Sequence, residues 1–96
     1  MQVIYCLINE FELKQHICLM DKETGSKEFL ESVEMDDIGH RVSTYSKEKD
    51  VHEIVLMGNS AEFLDRFVDD IYTVNALMYN ITNPIHISII TEEEGE

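Results

Sequence analysis

The chain has 96 residues, 44% of them apolar and 28% charged, enough to bury one hydrophobic core and too apolar for a globally disordered polymer. Twenty acidic side chains against seven basic ones give a formal net charge of -13, which disfavours direct binding to a nucleic-acid backbone or an anionic membrane surface and suits a protein partner with a basic surface. No apolar run is long enough to span a bilayer, and Met1 to Ile8 lack the basic start and cleavage site of a signal peptide, so a cytoplasmic location is expected.

Val3 to Ile8 (VIYCLI) is a continuous apolar run, the pattern of a central strand buried on both faces. A hairpin turn near Asn9 to Phe11 leads into alternation. Phe11, Leu13, Ile17 and Leu19 share one face, and Glu12, Lys14, His16, Cys18 and Met20 share the other. In that register Cys6 lies opposite Leu13 to Gln15, well short of Cys18, and no disulfide is expected. Asp21 to Gly25 has turn chemistry, and Ser26 to Val33 returns as the third strand of a meander, with Lys27, Glu28 and Glu31 suited to an edge.

Met35, Ile38, Val42 and Tyr45 recur at helical spacing and place a first helix over Met35 to Lys47. Val51 to Met57 (VHEIVLM) reads as the fourth strand, closed by Gly58-Asn59-Ser60. Ser60 is a good N-cap for a second helix, whose apolar stripe is Phe63, Leu64, Phe67, Val68, Ile71, Val74 and Met78. Asn80 to Pro84 ends that helix, Ile85 to Thr91 supplies a fifth strand, and Glu92 to Glu96 is a charged tail. The expected organisation is one domain over residues 1–91 and an acidic tail over 92–96.

The element order β-β-β-α-β-α-β predicts an α/β (α+β) fold with a five-stranded mixed sheet. The first three strands are antiparallel, and strands one, four and five are parallel. Both crossovers run the same way across the sheet, so right-handedness puts both helices on one face. Val51 to Ile71 (VHEIVLMGNSAEFLDRFVDDI) resembles the strand, glycine turn and helix that actin-like ATPases place beside adenosine, and the whole order is similar to the ribonuclease-H-like fold those ATPases share. The resemblance implies, for the nucleases, metal-holding acids on the first strand and at the end of the fourth. Here the first strand offers Tyr5 and Cys6, and the fourth ends Met57-Gly58-Asn59. For the ATPases it implies an acidic, glycine-containing turn after the first strand, where this chain has Asn9-Glu10-Phe11.

No catalytic residue, cofactor or metal ligand set is therefore assigned; His16, His40, His52 and His86 match no zinc spacing. Gly58, Asn59 and Ser60 form a weak anion-site candidate at a helix start, opposed by the nearby carboxylates Glu62 and Asp65. Glu62, Asp65, Asp69 and Asp70 make an acidic helix face able to meet a basic partner. The face without helices should hold apolar residues such as Tyr5, because strands one and four are apolar on both sides, and a homodimer is the simplest cover. The expected function is a non-catalytic, acidic protein-protein interaction or accessory module. The alternatives are a reduced ribonuclease-H-like enzyme or nucleotide-binding domain, and an acidic nucleic-acid mimic that inhibits a nucleic-acid-binding protein.

Overall fold

The apolar run near the start of the chain becomes β1 (Gln2–Ile8), the middle strand of a five-stranded sheet. The computed structural model describes residues 1–79 and 85–91; the helix end expected at Asn80 to Pro84 and the tail Glu92 to Glu96 lie outside them. On one side of β1, β2 (Lys14–Asp21) pairs antiparallel and in turn pairs antiparallel with β3 (Lys27–Glu34). On the other side β4 (Glu53–Gly58) pairs parallel, followed by parallel β5 (His86–Thr91). The sheet order β3-β2-β1-β4-β5 is the mixed α+β arrangement that the element order predicts.

A short 3-10 turn, Met35–Asp37, leads into α1 (Ile38–Lys49), and α2 (Ala61–Tyr79) joins β4 to β5. Both helices cover the same face. Ile38 and Val42 of α1 and Leu64, Phe67 and Ile71 of α2 share one core with Ile4, Cys6 and Ile8 of β1 and with Ile54 and Leu56 of β4. Two right-handed crossovers stepping in one direction require this. The expected α2 stripe holds as far as Val74; beyond it the helix runs beside α1, and Met78 lies against His40 Nδ1 with half its surface exposed.

Between β1 and β2 the structure corrects the alternation. Phe11 and Leu13 are 81% and 91% exposed, and β2 begins only at Lys14. The cause is local hydrogen bonding. Asn9 Oδ1 accepts from the Phe11 amide at 2.9 Å, while buried Gln15 accepts from the Asn9 amide at 2.7 Å and donates to the carbonyls of Asn9 and Glu12. An Asx turn stitched by a glutamine satisfies the loop's backbone better than continued pairing would. The longer loop resets the register: Cys6 faces Ile17 and Tyr5 faces Cys18, so the two free cysteines belong to opposite sides of the sheet.

β3 is an edge strand, but its charges are not all edge charges. A bulge at Leu30 leaves Phe29 opposite Cys18 and Glu31 opposite Ile17, so two residues of like parity point to opposite faces. Glu31 is thereby turned toward α1, where its Oε1 accepts from Tyr45 Oη at 2.8 Å and from Arg41 Nε at 2.9 Å. The tyrosine hydroxyl above all, with the guanidinium, holds the Glu31 carboxyl below its ordinary range. As pH falls, the unfolded chain then takes up the proton first, so this stabilisation is complete above the unfolded carboxyl pKa and lost as pH drops through the folded value. Glu31→Gln should be less stable than wild type at neutral pH, by at most about 1 kcal/mol for a half-exposed pair. Thermal melts should show that gap closing below pH of about 4. A gap of the same size in acid would show that the carboxylate charge contributes nothing.

Candidate functional site

The acidic candidates all lie on exposed positions of α2. Glu62 stands in the first turn, with Asp65 and Asp69 farther along. Asp70 lies apart from them, leaning over Gly39 of α1 in a groove of about 290 Å³ that it shares with Met35, Asp36, Phe63, Arg66 and Phe67. Nothing in this row is buried, and none of these carboxylates meets a basic side chain at ion-pair distance among the described contacts.

Ser60 is the N-cap that the sequence predicts, its hydroxyl accepting from the Phe63 amide at 3.3 Å and its carbonyl from Leu64 at 3.0 Å. That hydroxyl is thus engaged, and Glu10 and Glu62 line the shallow recess beside it. Arg66 lines the same recess, so an anion approaching Gly58-Asn59-Ser60 would meet two carboxylates and one guanidinium. At the carboxyl ends of β1 and β4 a cleft of about 340 Å³ is lined by Leu7, Ile8, Asn9, Glu12, His16, Met57, Gly58 and Asn59. Among these described residues Glu12 is the single carboxylate, and one carboxylate offers little charge to hold a divalent cation. No group of three His, Cys, Asp or Glu among the described residues is placed to share a metal ion. Burial pushes the Cys6 thiol up, and desolvation raises Cys18 despite the neighbouring Lys27, so neither favours the thiolate that nucleophilic chemistry needs.

The face without helices carries the larger feature. Val3, Tyr5, Cys18 and Val55 form a second apolar cluster there, with Met20 and Met57 against it. Tyr5 is only 5% exposed: its hydroxyl meets Met57 Sδ, and Lys27 Nζ sits 4.4 Å above its ring. Long neighbours have closed over it. Exposure falls instead on a band that crosses the sheet. His16 pairs with Leu7, Leu7 with Met57 and Met57 with Ile90 across four strands, and Phe29 of the fifth meets the His16 ring edge-on at 5.5 Å. Phe29, Leu7 and Ile90 are 57%, 38% and 45% exposed, large values for side chains of this size on a sheet.

The sequence makes strands one and four apolar on both sides without deciding which residues face outward; it sets His16 on the face of Cys18 and Met20, as observed, but does not single out Phe29. The bulge that turns Phe29 outward has no signature in the alternation of β3. No protein-family model matches the chain, and no curated protein matches it. No helix among the described residues is long and apolar enough to cross a membrane.

Proposed function

We propose that this chain is a non-catalytic protein-interaction module whose contact surface is the uncovered face of its sheet. The observation that carries the reading is the band from Phe29 through His16, Leu7 and half-buried Met57 to Ile90, which leaves the apolar side chains Phe29, Leu7 and Ile90 exposed on β3, β1 and β5. Contiguous apolar surface of this kind is rare on a protein that meets only water. A ribonuclease-H-like classification is supported by the element order, by the sheet order β3-β2-β1-β4-β5 and by the common side of both helices. Against an enzyme of that class stand Tyr5 and Cys6 on β1, Gly58-Asn59 at the end of β4, and a cleft at the carboxyl ends of both strands with one carboxylate among its described residues.

The acidic row on α2 supports a second mode, contact with a basic surface, but its side chains are solvated and dispersed. Two variants separate the modes. Leu7→Glu combined with Phe29→Glu should abolish association of the folded chain with proteins that co-purify from its host. Asp65→Ala combined with Asp69→Ala should leave association intact. Loss in the second variant only would move the function to α2. A melting temperature raised by ATP with magnesium or manganese would instead favour a nucleotide-binding domain, because ligand that binds only the folded state stabilises it by mass action.

A further inference from the structure

We infer that the edge strand β5 docks a second copy of this chain, whose own β5 adds to it antiparallel about a two-fold axis perpendicular to the sheet, making one continuous sheet with all helices on the same side. The inference goes beyond the interaction reading above and uses a different surface. The sheet ends in β3 on one side and β5 on the other. β3 carries a bulge at Leu30 and charges at Lys27, Glu28 and Glu34, devices that stop a further strand from pairing. β5 (His86–Thr91) has none of them. No bulge interrupts its register with β4, and it holds no proline, lysine, arginine or carboxylate. On a chain of net charge -13, β5 is thus a line along which two copies meet without opposing acidic side chains. Because the β3 edge is closed, addition stops at the pair and does not grow into a filament.

The backbone sets the register. The His86 amide donates to the His52 carbonyl at 2.8 Å, so the peptide groups of His86, and by the alternation of a parallel ladder those of Ser88 and Ile90, are turned toward β4. Those of Ile87, Ile89 and Thr91 are turned outward, and no hydrogen bond among the described residues reaches them. A single antiparallel register uses every one of these groups within the strand. Ile89 faces Ile89 of the second copy on the axis, with Ile87 facing Thr91 on either side, each such pair exchanging two hydrogen bonds.

The helix layer fits the same axis. α2 packs on β4 and β5, and it meets α1 through Asp70, Val74 and Met78. At about 100° per residue, the flank turned away from α1 and toward the β5 edge carries Asp65, Val68, Tyr72 and Ala76. Val68 is half-buried against the core and Tyr72 is 43% exposed, so this flank is largely apolar and Asp65 is its one charge. Paired β5 strands stand about 4.8 Å apart, and each α2 is set back by roughly half a strand spacing, which brings the two helix axes to about 10 Å, the distance at which helices pack. A foreign strand would satisfy the backbone alone; a second copy satisfies the backbone and covers the α2 flank at once. A contact about 25 Å long and 20 Å deep through both layers covers roughly 500 Å² per copy, at the low end of specific interfaces and fit for a micromolar dimer.

Sedimentation equilibrium of the full chain from about 1 to 100 μM tests the pair, with the melting temperature of each variant confirming that it is folded. The wild-type chain should approach twice its monomer mass, and amide hydrogen exchange should find Ile87, Ile89 and Thr91 protected at the upper concentration and open at the lower. Ile89→Pro deletes the central outward N–H, at a position where an edge strand accepts proline, and should weaken the dimer at least about 30-fold. Tyr72→Glu, at a position exposed in the single chain, buries an unpaired charge beside α2 of the second copy and should weaken it about tenfold, which decides the point if the proline variant does not fold. Leu7→Glu combined with Phe29→Glu should leave the dimer unchanged, so failure here and failure of the open-face reading are told apart. A wild-type monomer at about 100 μM overturns the proposal, and protection of the three amides that appears only with a co-purifying protein keeps the edge but overturns its occupant. A dimer whose three amides stay open, or one that survives Tyr72→Glu and is lost with Leu7→Glu, places the contact elsewhere and overturns the edge.

Discussion

Phe67→Ala should leave the protein barely folded. Phe67 projects from the middle of α2 into the core beneath the helices, 9% exposed, with Leu64 and Ile71 fully buried on the turns before and after it. Its ring also meets Phe63 edge-on at a centroid distance of 5.2 Å, so truncation removes both buried area and an aromatic pair. Deleting a buried phenylalanine side chain costs about 3 to 5 kcal/mol, against a total of roughly 5 to 15 kcal/mol for a small domain. The sheet behind Phe67 is a hydrogen-bonded ladder that cannot collapse into the cavity, which argues for the upper part of that range. Urea unfolding followed by circular dichroism is the measurement. A midpoint near that of wild type would mean that α2 packs through a different face.

Gly58→Ala is expected to destabilise the protein by about 1 to 3 kcal/mol, although it adds a single methyl group. A β-carbon at this position would stand 2.6 Å from the Ile8 carbonyl oxygen and 3.1 Å from Leu64 Cδ2. The leucine could turn aside; the oxygen belongs to the backbone of β1, paired with β4 at the Ile8 and Gly58 level, and moves only if the end of that ladder opens. Glycine is thus required here by the close approach of two parallel strands. Asn59→Ala, one residue on at an exposed position, should change stability by no more than about 0.5 kcal/mol. Leu64→Ala should not rescue Gly58→Ala, because it relieves the softer contact only. Thermal melts of the two single variants and the double variant decide the point: rescue would locate the strain in the side chain instead of the ladder.

Both variants act at places the sequence already marks, one as an apolar stripe position and one as a turn glycine. The number and order of elements, the pairing of the strands and the common side of the helices follow from information held within short segments. Helical and strand periodicity differ, Ser60 caps a stripe, and the right-handedness of crossovers turns that order into one sheet. What faces the outside world was decided later. A strand's faces alternate with a period of two, so one extra residue exchanges them. The bulge at Leu30 sends Phe29 outward and Glu31 to Arg41 and Tyr45, and the Gln15-stitched loop moves Cys18 opposite Tyr5. Exposure within the open face was decided by neighbours on other strands. Tyr5, the residue that sequence reasoning favours for contact, disappears beneath Lys27 and Met57, while Leu7, Phe29 and Ile90 stay exposed among the described residues.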